Sequence, residues 1–234
     1  MRRLLLALAV PSLLAQQGMP ATTLDQVLEG YYGTLGGLAK LKATKTRRVE
    51  GHFEGLGSPV SYVQINERPN HCWLVTTNGP DRRLKLFDGK EGWEVLAAGP
   101  RRQLMPEEIA DLEPDFDGPL VDAQVKGHRL SFGGLMPLGY GRAYVVRGVL
   151  ANGETQTIWF DAVTFHRLKQ VTKRMVQSNV IETEMLFSDY RDVEGRSMPF
   201  KVTVGTPGQA PRYSVVVDSM AFDKPVDVPS MPTK

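Results

Sequence analysis

The chain has 234 residues, 41% of them hydrophobic, and its 28 basic and 26 acidic residues give a formal charge of +2. Loss of Arg2 and Arg3 with a cleaved leader would reduce the 28 basic residues to 26, equal to the acidic ones. A neutral chain lacks the basic surface on which nucleic-acid binding depends, so this class of partner is excluded. The remaining length suits one domain with a sizeable core.

The N-terminal segment has the features of a secretory signal peptide. A pair of arginines precedes a short apolar run at residues 4–10, and Ala15 is a small residue suited to cleavage. The alternative is a membrane anchor, but the run is far shorter than the roughly 18 residues that span a bilayer. We expect a signal peptide over residues 1–21, with cleavage after Ala15 as one choice, and a single soluble domain over residues 22–234.

The segment after the leader carries apolar side chains at helical spacing. Thr23, with Gln26 three residues later, forms a capping box that begins a helix. The pair Gly36-Gly37 interrupts the pattern. We therefore predict one helix to about Thr34 and a second, short helix to Lys42, whose apolar stripe must pack on the rest of the domain.

Beyond Lys45 the apolar residues alternate with polar ones, which is the period of β-strands. Turn signals such as Asp88-Gly89 and Asn152-Gly153 separate the strands at short intervals. The predicted strands are residues 49–53, 60–65, 72–76, 82–87, 93–96, 127–132, 142–150, 154–160, 166–173, 179–187, 200–205 and 212–220. Eleven or twelve strands after a helical region predict a mainly β fold, a large curved antiparallel sheet that forms an incomplete (half) β-barrel.

One helical insertion divides the two series of strands. Residues 105–112 have a proline near their start and glutamates in their first turn, as a short helix does. Residues 116–121 add a further turn before the strands resume. We predict that the insertion covers the sheet as a helical lid, together with the N-terminal helix.

The chain shows no motif that indicates catalysis. The four histidines stand on strand-like segments without a second ligand two or four residues away, which argues against a metal site. Glu113, Asp115 and Asp117 imitate the opening of a calcium loop, but its twelfth position is Gln124 and prolines interrupt it, so a turn within the lid is predicted. The nucleophile motif Gly-x-Ser-x-Gly is absent. We expect neither enzymatic activity nor a cofactor.

The only cysteine, Cys72, cannot form an internal disulfide. No basic neighbour in the sequence lowers its pKa. We predict a small, buried and slowly reacting core residue rather than a nucleophile.

Two stretches carry a family resemblance. Arg68-Pro69-Asn70 enters a strand and is followed about twenty residues later by Asp88-Gly89-Lys90-x-x-Trp93. The segment of residues 187–195, leading to Met198-Pro199, is similar to a recurrent ending of lipoprotein-sorting proteins. The chain resembles the bacterial outer-membrane lipoprotein carrier superfamily, of the LolA type. Glu67 stands where the familiar carriers have a basic residue, so the resemblance is to the superfamily more than to its carrier group.

The resemblance implies a soluble periplasmic protein with a half-barrel cavity closed by helices. In the resembling family the arginine at the position of Arg68 is linked to closure of the lid and release of acyl chains. The implied partners are acylated lipoproteins or lipid chains, and an inner- or outer-membrane protein that exchanges them, with the carrier itself a monomer. An envelope sensor or interaction module of the same fold is the alternative, and a hydrolase is the third choice.

Several predicted strands are apolar on both faces, which indicates a lined cavity in addition to a core, although a fully packed sandwich would give the same pattern. A strand-end arginine in a weak surface ion pair is likewise the alternative for Arg68. The candidate residues of the ligand cavity and lid are Arg68, Trp73, Trp93, Tyr144, Val146, Ile181, Met185 and Phe187.

Overall fold

The structure is a computed structural model that describes residues 20–96 and 101–225. Residues 1–19 of the predicted signal peptide lie outside this part of the chain. The helices are α1 (Leu24–Thr34), α2 (Leu38–Ala43) and α3 (Pro106–Ala110). The strands are β1 (Thr46–Glu54), β2 (Val60–Glu67), β3 (His71–Asn78), β4 (Asp81–Phe87), β5 (Gly92–Leu96), β6 (Arg102–Gln103), β7 (Arg129–Leu138), β8 (Gly141–Val149), β9 (Thr155–Asp161), β10 (Arg167–Val176), β11 (Asn179–Asp192), β12 (Ser197–Gly205) and β13 (Tyr213–Phe222).

All of these strands belong to one antiparallel sheet in the order β6-β5-β4-β3-β2-β1-β13-β12-β11-β10-β9-β8-β7. Two meanders are joined in the middle, where β1 pairs with β13. The sheet does not close, because β6 and β7 stand at opposite edges. The predicted mainly β fold with an incomplete barrel is therefore confirmed, and the short β6 is the strand that the sequence pattern missed.

The two N-terminal helices begin and end as predicted. The Thr23 hydroxyl accepts from the Gln26 amide at 3.3 Å, and the Gln26 side chain accepts from the Thr23 amide at 3.2 Å. Both Gly36 and Gly37 have positive φ, of 83° and 93°, which glycine adopts without strain. The helix must therefore break between α1 and α2.

Chain connectivity determines where the insertion runs. Residues 104–128, which we call the lid segment, link β6 at one edge of the sheet to β7 at the other. They consist of α3 followed by consecutive turns, as the sequence predicts. The lid segment and α1 contact the same face of the sheet, which we call the inner face; the opposite side is the outer face.

The inner face has three apolar clusters. Under α1, the side chain of Val27 packs on β8 and β9 together with Leu120 of the lid segment. A central cluster joins β1, β2, β12 and β13. The third cluster places the lid residues Leu104, Ile109 and Leu112 on β3 and β4. None of the helices within the two described ranges is long and apolar enough to span a membrane.

Candidate functional site at the lid

Arg68, directly after β2, makes a bidentate contact with the lid segment. Its guanidinium donates to both carboxylate oxygens of Asp117 in the lid segment, at 2.6 and 2.5 Å. It also donates to the backbone oxygens of Leu41, at 2.8 Å, and Thr44, at 2.5 Å, at the C-terminal end of α2. The planar guanidinium thus joins the sheet, α2 and the lid segment. The single ammonium of a lysine could not make all of these hydrogen bonds at once.

The pair of Arg68 and Asp117 is largely shielded from solvent. The side chains are 25% and 13% exposed, respectively. Phe116, which is buried, lies against the guanidinium with 4.6 Å between the Arg68 Cζ atom and the ring centroid. The hydrogen bonds that Arg68 donates to Asp117 raise the pKa of Arg68. Charge-assisted, bidentate hydrogen bonds of this kind are stronger than those between neutral groups.

The far half of the sheet holds the lid segment at a second point. Arg174 of β10 donates to Asp111 at 2.7 Å. Both side chains are more exposed than the first pair, at 30% and 59%. The lid segment is therefore attached to both walls of the half-barrel.

Backbone oxygens of the lid segment accept hydrogen bonds from the sheet and from α1. The oxygen of Leu112 accepts from the Gln64 side chain at 3.2 Å and from the Cys72 thiol at 3.3 Å. The hydroxyl of Tyr32 donates to the oxygen of Leu120 at 2.8 Å. These bonds satisfy carbonyls that would otherwise be buried without a partner.

A cleft of about 870 Å³ opens between α1 and the second half of the lid segment. Its apolar wall includes Leu24 and Leu28 of α1 and Leu120 of the lid segment. Leu120 also belongs to the apolar cluster beneath α1, so displacement of this half of the lid segment would extend the cleft onto the inner face. Its volume is in the range of small-molecule and cofactor sites.

No protein-family model and no curated protein sequence matches the chain. Solved structures do match its fold. A LolA superfamily protein from Nitrosomonas europaea matches with a TM-score of 0.62 and 11% identity, over 88% of this chain and 96% of that one. A domain named for outer membrane lipoprotein sorting, from Vibrio parahaemolyticus, gives 0.58 and 8%, over 86% and 93%. A DUF1329 family protein from Desulfovibrio piger gives 0.57 and 12%, over 84% and 93%.

The chain has the LolA-like fold.

Within this LolA-like fold, Arg68 binds the lid segment. The resemblance implied a contact with residues 106–112 or with the N-terminal helix, whereas the guanidinium binds Asp117, in the turn that imitates a calcium loop, and the end of α2. No group of three potential metal ligands occurs among the residues described. The sequence gives no signal that singles out Asp117 as this partner, because the lid segment carries six other acidic residues.

Five other candidate residues share the inner face. Tyr144 and Val146 are fully buried beneath α1. Ile181, Met185 and Phe187 alternate along β11, and the pairing of Ile181 with Arg174 places all three on the inner face. Phe187 is buried under the guanidinium of Arg167, whose Cζ atom is 3.9 Å from the ring centroid, while Ile181 is 40% exposed.

The two tryptophans lie on the outer face. Trp73 stands between Cys72 and Leu74, whose side chains contact the lid segment, so its own side chain points to the opposite side. Trp93 pairs with Leu86, which in turn pairs with Trp73, and therefore shares that side. Neither residue lines the inner face.

Contacts with the lid segment, or within it, shift the pKa values of two groups, Cys72 and Glu108. Burial raises the pKa of the Cys72 thiol to about 11, against a partial lowering by its hydrogen bond from Gln64. Hydrogen bonds from Arg102 and from the Met105 amide lower the pKa of Glu108 in α3 to about 2. The thiol is therefore unreactive while it is covered, and the Glu108 carboxylate stays charged at any ordinary pH.

Proposed function

We propose that the protein is a non-enzymatic carrier of acyl chains, from lipids or acylated proteins, which bind on the inner face when the lid segment lifts. We further propose that residues 1–21 are a cleaved signal peptide and that residues 22–234 act as one domain in the periplasm. The observation that carries the proposal is the set of hydrogen bonds from the Arg68 guanidinium, which holds the lid segment and α2 at one point. It supports a lid whose opening requires that this contact be broken.

The apolar lid side chains suit this role because an acyl chain can replace them. Leu104, Ile109 and Leu112 cover Cys72 and neighbouring residues on β3 and β4. Burial of three such side chains contributes roughly 5 to 9 kcal/mol, and each buried methylene of a ligand about 0.8 kcal/mol. Roughly ten methylenes would therefore offset the displaced lid contacts. Short chains should bind poorly and long chains well.

The contact between Arg68 and Asp117 supports a role in the release of the ligand. When Asp117 and the α2 carbonyls are bound to Arg68, the closed lid competes with the ligand. A variant that cannot form these bonds should keep its ligand longer, because the closed state is less stable. For an uncharged apolar ligand, Arg68→Leu should therefore slow release, and Arg68→Lys should restore the rate only in part, since one ammonium cannot reproduce the hydrogen bonds of the guanidinium.

The test is displacement of an apolar fluorescent probe by saturated fatty acids of 6 to ~18 carbons. We expect affinity to rise with chain length, with an increment of about 0.8 kcal/mol per methylene as its upper bound. Thr77→Ser, on the outer face of β3, is a control variant that should leave the series unchanged. An affinity that does not depend on chain length would refute the carrier proposal.

A further inference from the structure

The floor beneath the lid segment contains a second arginine with a different environment. Arg47 of β1 pairs with Asn66 of β2, and Asn66 with Cys72, so all three side chains lie on the inner face. The Arg47 Nη2 atom donates to Asn66 Oδ1 at 3.0 Å. The Phe116 ring of the lid segment lies 5.8 Å from the Arg47 Cζ atom. Arg47 forms no ion pair with the residues described.

Two polar groups at this place are buried without a partner. Asn66 is fully buried, and its Nδ2 atom has no oxygen or nitrogen acceptor among the described residues; its side chain lies beside the Cys72 sulfur, which is a weak acceptor. The Nε atom of Arg47 is likewise buried and unpaired within that part of the chain. A buried donor without an acceptor costs free energy. Arg47 as a whole is half-buried, and its guanidinium has no anion among the described residues. Both unpaired groups are donors, so the missing partner is an acceptor.

Of the two arginines, Arg47 and Arg68, only Arg68 is bonded to a carboxylate of the lid segment. Asp117 binds Arg68 with both oxygens and makes no bond to Arg47. The ring of Phe116 lies near both guanidinium groups. When Phe116 and Asp117 leave with the lid, two guanidinium groups are left on the inner face beside the apolar side chains of β3 and β4.

We propose that Arg47, Asn66 and Arg68 form a receptor for the anionic head group of an acyl ligand. This inference rests on the proposed function and names its ligand class, an anionic amphiphile that carries a carboxylate or phosphate at one end of its chain. The head group accepts from Arg47 and Asn66, and takes the place of Asp117 on Arg68. The acyl chain then lies along the surface that the lid side chains have left.

The test compares three ligands of equal chain length: hexadecanoate, its methyl ester and monohexadecyl phosphate. Each displaces the apolar probe from the wild type and from Arg47→Gln. The control is Arg129→Gln, which removes the same charge from an exposed position on the outer face of β7. The measured quantity is the ratio of the anion's affinity to the ester's. Because the lid is open in both complexes, any effect of the substitution on the lid cancels in this ratio.

We expect the wild type and Arg129→Gln to prefer an anion over the ester by roughly tenfold to a hundredfold, the range of charge-assisted hydrogen bonds. In Arg47→Gln the preference should fall by about tenfold, while affinity for the ester stays within twofold. Stronger binding of the phosphate or of the carboxylate identifies the head group.

Equal affinity of the wild type for all three ligands would overturn the proposal of a head-group receptor. A water molecule would then be enough to accept from Arg47 and Asn66. An equal loss of acid and ester binding in Arg47→Gln would overturn it as well, because the residue would then serve only packing. If this variant does not fold, Arg47→Lys tests the same point, with a smaller loss of preference expected. If none of the three ligands binds to the wild type, the proposed function itself fails.

Discussion

The thiol of Cys72 lies 3.3 Å from the backbone oxygen of Leu112, so the lid segment rests directly on the only cysteine of the chain. Cys72 has no exposed surface, and burial raises its pKa to about 11. Thiol reagents attack the exposed thiolate. The rate of labelling of Cys72 in the native protein should therefore measure how often the lid segment lifts.

The first prediction concerns Arg68→Leu. Loss of its bonds to Asp117 and α2 should raise the labelling rate of Cys72 roughly tenfold, which corresponds to about 1.4 kcal/mol for a partly shielded charged pair. The measurement is labelling at neutral pH, under conditions in which the variant and wild type have equal thermal stability. Arg82→Leu, an exposed position of β4, is the control and should label like the wild type. A rate for Arg68→Leu equal to that of Arg82→Leu would contradict the lid contact.

The second prediction concerns Asp117→Asn. The neutral amide cannot accept two charge-assisted bonds, so this variant should also label faster than the wild type. The double variant Arg68→Leu/Asp117→Asn should label little faster than Arg68→Leu, because both substitutions remove the same interaction. Rates that multiply in the double variant would mean that the two residues act independently.

The third prediction compares two attachments of the lid segment, those made by Arg174 and by Arg68. Arg174→Gln removes the pair with Asp111, whose side chains are more exposed, and exposed pairs contribute at most about 1 kcal/mol. We expect less than a fivefold increase in the labelling of Cys72. In combination with Arg68→Leu the effects should multiply, because the two contacts stand on different halves of the sheet. A larger effect from Arg174→Gln than from Arg68→Leu would reverse the ranking.

The fourth prediction compares two glycines of α1. A Cβ atom at Gly30 would lie 2.4 Å from the Cδ1 atom of Phe165, whereas one at Gly33 would have no neighbour within 4 Å. Gly30→Ala should therefore lower the free energy of unfolding by about 1 to 3 kcal/mol through overpacking. Gly33→Ala should raise it by roughly 0.5 to 1 kcal/mol, since alanine is the better helix former. Chemical denaturation of both variants tests the packing of α1, and equal effects would contradict it.

The fifth prediction concerns pH. Burial lowers the pKa of His166 from its ordinary value of 6.5, against a smaller rise from Asp161, and its Nε2 atom is 2.8 Å from the Ser197 hydroxyl. The unfolded chain therefore takes up a proton at a pH where the folded protein does not. This contribution to stability is complete above pH 6.5 and is lost as pH falls towards the lowered pKa.

The measurement is the midpoint of thermal unfolding between pH 7.5 and ~5. His166→Phe keeps an aromatic ring against Tyr190, on which the imidazole stacks at 4.0 Å, but cannot titrate. Its melting temperature should fall less over this range than that of the wild type. Parallel curves would show that His166 does not contribute to the loss of stability in acid.

Much of the fold could be predicted because its signals are local. The Asn152-Gly153 turn between β8 and β9 forms as expected, with Gly153 at a φ of 86°. The pairing of β1 with β13 has no such signal, since more than a hundred residues separate the two strands. Strand β6 is two residues long and shows no alternation.

The candidate site was predictable only in part. Strict alternation implies that Trp73 and Cys72 point to opposite faces, but the sequence does not say which face the lid covers. The partner of Arg68 depends on the path of the whole lid segment, which no local pattern encodes. Arg47 showed no signal at all, because a charged residue near the start of a strand is common at exposed edges.

The two edge strands of the open sheet are consecutive in the chain, and the lid segment is the connection between them. A cover that is tethered at both ends is an intramolecular competitor, present at a fixed effective concentration that dilution cannot change. It lowers the apparent affinity for every ligand by one common factor, the fraction of molecules that are open. Substitutions that act only on the lid should therefore change all affinities together and leave the order of preference among ligands as it is.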